Sequence, residues 1–216
     1  LIEETLIKIK PFVGEAIVGS IVSSTGFFFF AHKVFCKGAK LFGFQRVPFI
    51  ARVKEYGKSA SLLGYKKELA VAIENVENGF DKVLETLFAT PVTKLDSFYE
   101  ASLTNSNPIL HTGRLYSMFK GKEDEVFDHQ ILFYKEWTDE ASEIEIKMDE
   151  EFFRLLNKLG VKTLPTLLDY YESRDAESLT CKIKSIKAFD EILSPMAQTE
   201  EGWKADFTSR YFTEDF

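Results

Sequence analysis

The sequence predicts a mainly α chain, in which a partial α/β region is followed by an all-helical domain. Three observations carry this. Up to about residue 75, short apolar runs of strand length alternate with glycine-marked turns. Beyond about Glu77, apolar residues recur at helical spacing. The longest such stretch, residues 138–159, opens on an acidic cluster and closes on Lys158 and Gly160, which suits the helix dipole.

In chain order, residues 16–22 form an apolar run ending in Ser-Ser-Thr-Gly, read as a buried strand and a loop. Residues 27–42 carry apolar side chains on one face and predict a helix. Residues 49–53, 59–63 and 69–73 are strand candidates, and a helix among strands points to the later part of an α/β sheet. Val83, Leu84, Leu87 and Phe88 then mark a helix that Pro91 ends. Residues 95–103 give a second helix starting near Asp96, and Pro108 suits the first turn of a third, where its missing N–H costs nothing. Helices over 163–171 and 178–189 complete the set.

A net charge of −7 repels phosphate backbones, which argues against nucleic acid as a partner. Cys36 and Cys181 are far apart and form no CxxC, so neither a disulfide framework nor a zinc site is expected and a reducing cytoplasm fits. No metal site is suggested, because the histidines are unclustered. Residues 16–31 are apolar but broken by Ser, Thr and Gly and too short to span a bilayer, so no membrane role is expected. The 21 phenylalanines supply core or interface anchors and name no function. With Leu1 first and Phe216 directly after Thr-Glu-Asp, both ends read as cuts within a longer protein.

Of the three histidines, His32 follows four phenylalanines and His129 lies in an acidic stretch; both read as structural or solvated. His111 differs. In Ser-Leu-Thr-Asn-Ser-Asn-Pro-Ile-Leu-His, the chain turns at Asn107–Pro108 and places His111 in the first turn of a helix. The end of the chain, Ser-Arg-Tyr-Phe-Thr-Glu-Asp-Phe, sets Arg210 and Asp215 five apart. An arginine offers a fork suited to a carboxylate, and an aspartate beside an imidazole favours its charged form. Taken alone, such a run of charges near a terminus is usually solvated.

Asn-Pro-Ile-Leu-His followed about a hundred residues later by Arg-Tyr-Phe-Thr-Glu-Asp resembles the NAD/NADP octopine and nopaline (opine) dehydrogenase family. The stretch Gly-Phe-Gln-Arg-Val-Pro-Phe-Ile-Ala-Arg is similar to that family's Pro-aromatic-x-x-Arg segment. The resemblance implies that residues 1–90 are the end of a Rossmann-type nucleotide-binding domain. Residues 91–216 would then be a helical catalytic and dimerisation domain of the 6-phosphogluconate dehydrogenase C-terminal type. It implies the reductive condensation of an amino acid amine with a 2-oxo acid by NADH or NADPH. His111 would polarise and protonate the oxo group, Asp215 would hold the ring, and Arg210 would bind the oxo acid's carboxylate. Asn107 would shape the turn or touch a ligand. A homodimer is also implied.

Two departures stand out. Thr112 follows His111 where the family often has proline, and no GxGxxG occurs in the chain, so the nucleotide would be bound by a part upstream of it. The Ser-Ser-Thr-Gly loop is either a plain turn or a strand-end loop edging the nucleotide. Two other functions stay open. One is an oxidoreductase like ketopantoate reductase or glycerol-3-phosphate dehydrogenase, with a lysine acid/base. The other is a non-catalytic dimerisation module.

Overall fold

The computed structural model describes residues 2–104 and 107–213, apart from the side chains of Thr25, Arg52, Leu63, Asn107 and Pro108. The chain divides into two compact units, Leu1–Thr104 and Asn105–Phe216.

The first unit opens on a helix, α1 (Ile2–Val13), in a region the sequence reads as strands and turns. Ile7 and Ile9 alternate with Lys8 and Lys10 in a strand-like period, but Leu6 is buried in the cluster built on α2. That packing overrides the local pattern. Strand β1 (Val18–Ser20) follows, and Ser-Ser-Thr forms a 3-10 turn (Ser23–Thr25). Helix α2 spans Phe27–Val34 and buries Phe27, Phe28 and Ala31. The helix expected over 27–42 thus stops early. Phe35 turns extended, Gly38 takes a φ of 95°, and the remaining apolar residues form β2 (Leu41–Phe44). Strands β3 (Phe49–Glu55) and β4 (Ser59–Tyr65) make a separate antiparallel hairpin. The main sheet has the order β1-β2-β5-β6, with β5 at Leu69–Glu74 and β6 at Val92–Lys94. Pairs β1–β2 and β5–β6 are parallel and β2–β5 is antiparallel.

Helix α3 (Phe80–Phe88) ends where Ala89 adopts a left-handed φ of 48°, two residues before Pro91. Helix α4 covers only Phe98–Ser102, and the cap residue is Ser97 rather than Asp96.

The second unit is built on α5 (Asn107–Phe119) and α6 (Asp139–Lys158). The Thr138 hydroxyl caps α6 by accepting from the Ala141 N–H at 3.2 Å. Helix α7 (Leu167–Tyr170) is shorter than expected, since Pro165 keeps the preceding residues extended and Thr166 caps only one turn. Helix α8 (Ala176–Lys184) starts in a capping box on Asp175 and Ser178, and a 3-10 turn at Lys187–Phe189 follows separately. A two-stranded ribbon of β7 (Met196–Gln198) and β8 (Trp203–Ala205) adds the strands that an all-helical reading omits; α9 (Arg210–Thr213) ends the described chain. One core joins α5, α6, α7 and α8 around Leu115, Phe133, Trp137, Leu167 and Leu179. A buried polar relay crosses it: the Trp137 indole donates to the Ser142 hydroxyl at 3.0 Å, which pairs with Thr180 at 2.8 Å. Among the described residues, no helix is long and apolar enough to cross a membrane.

Candidate functional site

The site lies in the second unit and starts from α5. That helix is buried on most of its circumference, and two of the residues it buries are polar: His111 and, one turn later, Arg114. Asn107 is the first residue of α5, so His111 sits fifth in the helix, just past the first turn where the sequence places it. The Asn107 side chain and Asp215 lie outside the described residues.

The second wall is the segment 127–137, which sequence reading leaves without an element. It is fastened by backbone hydrogen bonds, Phe127 exchanging N–H and C=O with Trp203 at 2.8 Å each way and Phe133 N–H donating to Ile192 at 2.7 Å. Arg114 locks it from the other side. Its Nε donates to the Phe133 carbonyl at 3.0 Å and Nη2 to the Glu136 carbonyl at 2.8 Å, with the guanidinium 5.4 Å from the centre of the Trp137 ring. Burial draws the Arg114 pKa down to about 10, against the pull of Glu136 and Glu145, so the group stays charged near neutral pH.

The clamped segment presents Tyr134 to the imidazole. His111 Nε2 and the Tyr134 hydroxyl are 3.0 Å apart. Phe133 meets the His111 ring edge-on at 5.6 Å. The third wall is Tyr211 on α9, whose ring centre is 5.4 Å from that of His111. Phe212, beside it, packs on Phe119 of α5 at 5.9 Å. The two motifs a hundred residues apart therefore meet at Tyr211. Arg210 stands exposed at the start of α9.

Behind α5, Glu145 of α6 is fully buried, and neither carboxyl oxygen has a hydrogen-bond partner among the described residues. Burial pushes its pKa up to about 9, with Asp149 raising it further and Arg114 opposing, so the acid is neutral near pH 7. It reaches Gly113, where a β-carbon would collide with its Oε1. Sequence reading misses Arg114, Tyr134 and Glu145. A cation between Leu110 and Leu115 on an apolar helix face is a signal for Arg114; the other two leave none.

His32 and His129 are elsewhere. His32 pairs with Glu74 at 2.6 Å in the first unit. His129 is exposed between Glu136 and Asp128, which together hold its pKa above the usual imidazole value.

Against known proteins, residues 94–216 match the model of the NAD/NADP octopine/nopaline dehydrogenase family, α-helical domain. The chain is 24% identical over 95% of its length to octopine dehydrogenase of Mizuhopecten yessoensis, covering 56% of that protein. It is 24% identical over 97% of its length to tauropine dehydrogenase of Arabella iricolor, covering 59%. It thus spans little more than half the length of these relatives. A solved octopine dehydrogenase with NADH and L-arginine superposes with a TM-score of 0.83 at 20% identity, over 99% of this chain and 58% of that one. The fold is therefore that of the end of a Rossmann-type domain followed by the helical domain, and the chain belongs to the NAD/NADP octopine/nopaline dehydrogenase family.

Proposed function

We propose that the chain is part of an opine dehydrogenase, an NAD(P)H-dependent oxidoreductase that condenses an amino acid amine with a 2-oxo acid and reduces the product. The observation that carries this is the meeting of His111 with the Arg-Tyr-Phe-Thr run at Tyr211, inside the unit that the family's helical domain covers. Solved relatives bound to NADH with L-arginine and to NADH with pyruvate show both substrate classes in that family.

In this reading the amine and the oxo group join with loss of water to an imine, and reduction delivers a hydride to carbon and a proton to nitrogen. His111 is the acid that polarises the oxo group and supplies protons. Its surroundings suit the task, since a ring walled by Phe133, Tyr134 and Tyr211 is shielded from water, where hydrogen bonding to developing charge is strongest. Arg210 forks onto the carboxylate of the 2-oxo acid, Asp215 balances the imidazolium, and Asn107 shapes the approach to His111.

Nucleotide binding is assigned to residues other than these 216. The strand-to-helix turn after β1 does not fit a pyrophosphate: Ser23 is fully buried, and its hydroxyl fills the space at Gly43 where a β-carbon would stand. A homodimer in a reducing cytoplasm completes the proposal, with Cys36 and Cys181 as exposed free thiols.

The test is NAD(P)H oxidation by the full-length enzyme with pyruvate and a pool of amino acids. Oxidation that needs both substrates and is lost in His111→Ala is the expected result. Oxidation with the oxo acid alone would refute condensation in favour of simple ketone reduction.

A further inference from the structure

Segment 127–137 carries Tyr134 to His111 without a helix or strand of its own. Tethers set its course. On one side they come from the chain around residues 192–203. Phe133 N–H donates to the Ile192 carbonyl at 2.7 Å, Ser194 N–H to the Ile131 carbonyl at 2.9 Å, and the Gln130 side-chain amide to the Ser194 carbonyl at 2.9 Å. On the other side the tether is Arg114, whose two bonds end on the carbonyls of Phe133 and Glu136. These lie just before and just after Tyr134 in the chain, so the guanidinium straddles the residue that meets the imidazole. His111 and Arg114 are neighbours on α5, one turn apart. The helix thus holds the histidine directly and its partner through the arginine. The 3.0 Å contact between His111 Nε2 and the Tyr134 hydroxyl closes this ring of interactions.

From this geometry we infer that Arg114 is a positioning residue of the reaction, fixing Tyr134 to the helix that carries His111 and so keeping the imidazole aimed; this rests on reading His111 as the acid of the condensation. Arg114 is 3% exposed and turned toward backbone carbonyls and the Trp137 ring, so its effect is exerted through the pair it holds. The type of side chain fits the task. Nε and Nη2 belong to one flat guanidinium and fix two carbonyls at a set spacing, whereas an ammonium is a single point on a flexible stem. For stability alone, a buried cation bonded to neutral carbonyls is a poor device, because desolvation opposes it. Placement is what it adds: an acid held about 1 Å from its productive position loses on the order of 100-fold in rate.

Arg114→Lys separates placement from charge, because it keeps the cation and loses the fork. An arginine that acts through Tyr134 has no further effect once the phenol hydroxyl is gone, which a double-mutant cycle reads directly. In the full-length enzyme with pyruvate and an amino acid, Arg114→Lys and Tyr134→Phe are each expected to lower kcat roughly tenfold, the scale of one hydrogen bond to a charged group, with KM little changed. The double variant is then no slower than Tyr134→Phe alone. Independent losses that multiply to about a hundredfold would overturn the inference.

Nitrogen-15 NMR of His111 in the 216-residue chain repeats the cycle with no cofactor or turnover. Tyr134→Phe moves the His111 titration midpoint by about one unit, Arg114→Lys moves it in the same direction, and the double variant moves it no further. His32, in the other unit, stays put. A His111 midpoint untouched by Arg114→Lys would sink the idea as surely as additive kinetics. Leu156→Ala is the control for mere loosening, since it empties a fully buried position toward the C-terminal end of α6 and destabilises the same unit. It is expected to leave kcat and the midpoint alone; a Leu156→Ala that lowers kcat as much as Arg114→Lys would reduce Arg114 to a structural part. Should Arg114→Lys fail to fold, Arg114→Gln keeps one donor. Its lost charge counts equally with and without the Tyr134 hydroxyl, so the cycle reads the same coupling. An enzyme inert toward oxo acids, with coupled midpoints, removes the condensation reading and leaves the hold of Arg114 on the pair standing. An active enzyme with additive losses removes the positioning role alone.

Discussion

Glu145 gives the sharpest test of how this site is built. Its carboxyl is fully buried with no hydrogen-bond partner among the described residues, and burial raises its pKa from 4.5 to about 9. In the unfolded chain the same acid ionises near the ordinary value. Below that value both states carry the proton and the acid costs nothing extra. Between it and about 9 the unfolded state has lost its proton while the folded state keeps it, so stability falls as pH rises. The slope is about 1.4 kcal/mol per pH unit, which makes the deficit at pH 7 roughly 3 kcal/mol, a large share of the 5–15 kcal/mol of a typical domain. Glu145→Gln has nearly the same shape and lacks the titration. It is expected to match the native chain near pH 4.5 and to exceed it by about 3 kcal/mol at pH 7. Both tryptophans, Trp137 and Trp203, lie in the second unit, so urea melts followed by tryptophan fluorescence report on that unit alone. Parallel stability–pH curves for the two proteins would show that Glu145 is ionised or solvated in the fold and would refute the argument. Geometry supplies a second arm. Gly113→Ala places a methyl on the Glu145 carboxyl and should cost about 2 kcal/mol, most of it recovered in combination with Glu145→Ala.

Arg114→Met removes the donors to one buried and one part-buried carbonyl and should cost about 3 kcal/mol in the same melts, while Arg114→Lys, keeping the charge but not the fork, should cost roughly half. A neutral result for both would mean that the segment 127–137 stands without its clamp. The proposed homodimer predicts a mass near twice 24.8 kDa by light scattering at high concentration, and a clean monomer would remove it.

What the sequence discloses about this fold follows the reach of the forces involved. Helix α6 is legible at both ends because a Thr cap, first-turn acids and a closing Lys-Leu-Gly act within one turn of the residues they fix. Strands β3 and β4 show their composition and β5 its apolar run. By contrast β6, β7 and β8 are three residues each, too short for any period, and exist only through partners elsewhere in the chain. Helix α1 carries a misleading alternation that its packing on α2 corrects, and β2 hides inside what looks like one aromatic helix until Gly38 turns the chain. For the site, Asn-Pro-Ile-Leu-His and Arg-Tyr-Phe-Thr are legible as motifs. Nothing in Phe-Tyr-Lys-Glu-Trp marks Tyr134 as different from the other core aromatics around it, because its role depends on a backbone path set by Arg114.

The charges around α5 argue for where the negative partner of His111 must come from. Arg114 stands one turn away and remains protonated, its donors directed to backbone carbonyls. Glu145, the buried acid behind the same helix, keeps its proton up to about pH 9 and so offers no charge in return. Tyr134, the group on Nε2, is a phenol and not a carboxylate. A cation nearby disfavours an imidazolium, and a neutral acid does not offset it. If His111 works as a charged acid, neither Glu145 nor Tyr134 supplies its counter-charge. Tyr211 brings the C-terminal run to the ring at 5.4 Å, and Asp215 in that run is the carboxylate proposed for the role. The proposed role of Asp215 is thus tied to the neutrality of Glu145, so a Glu145 found ionised in the melts would weaken the case for both.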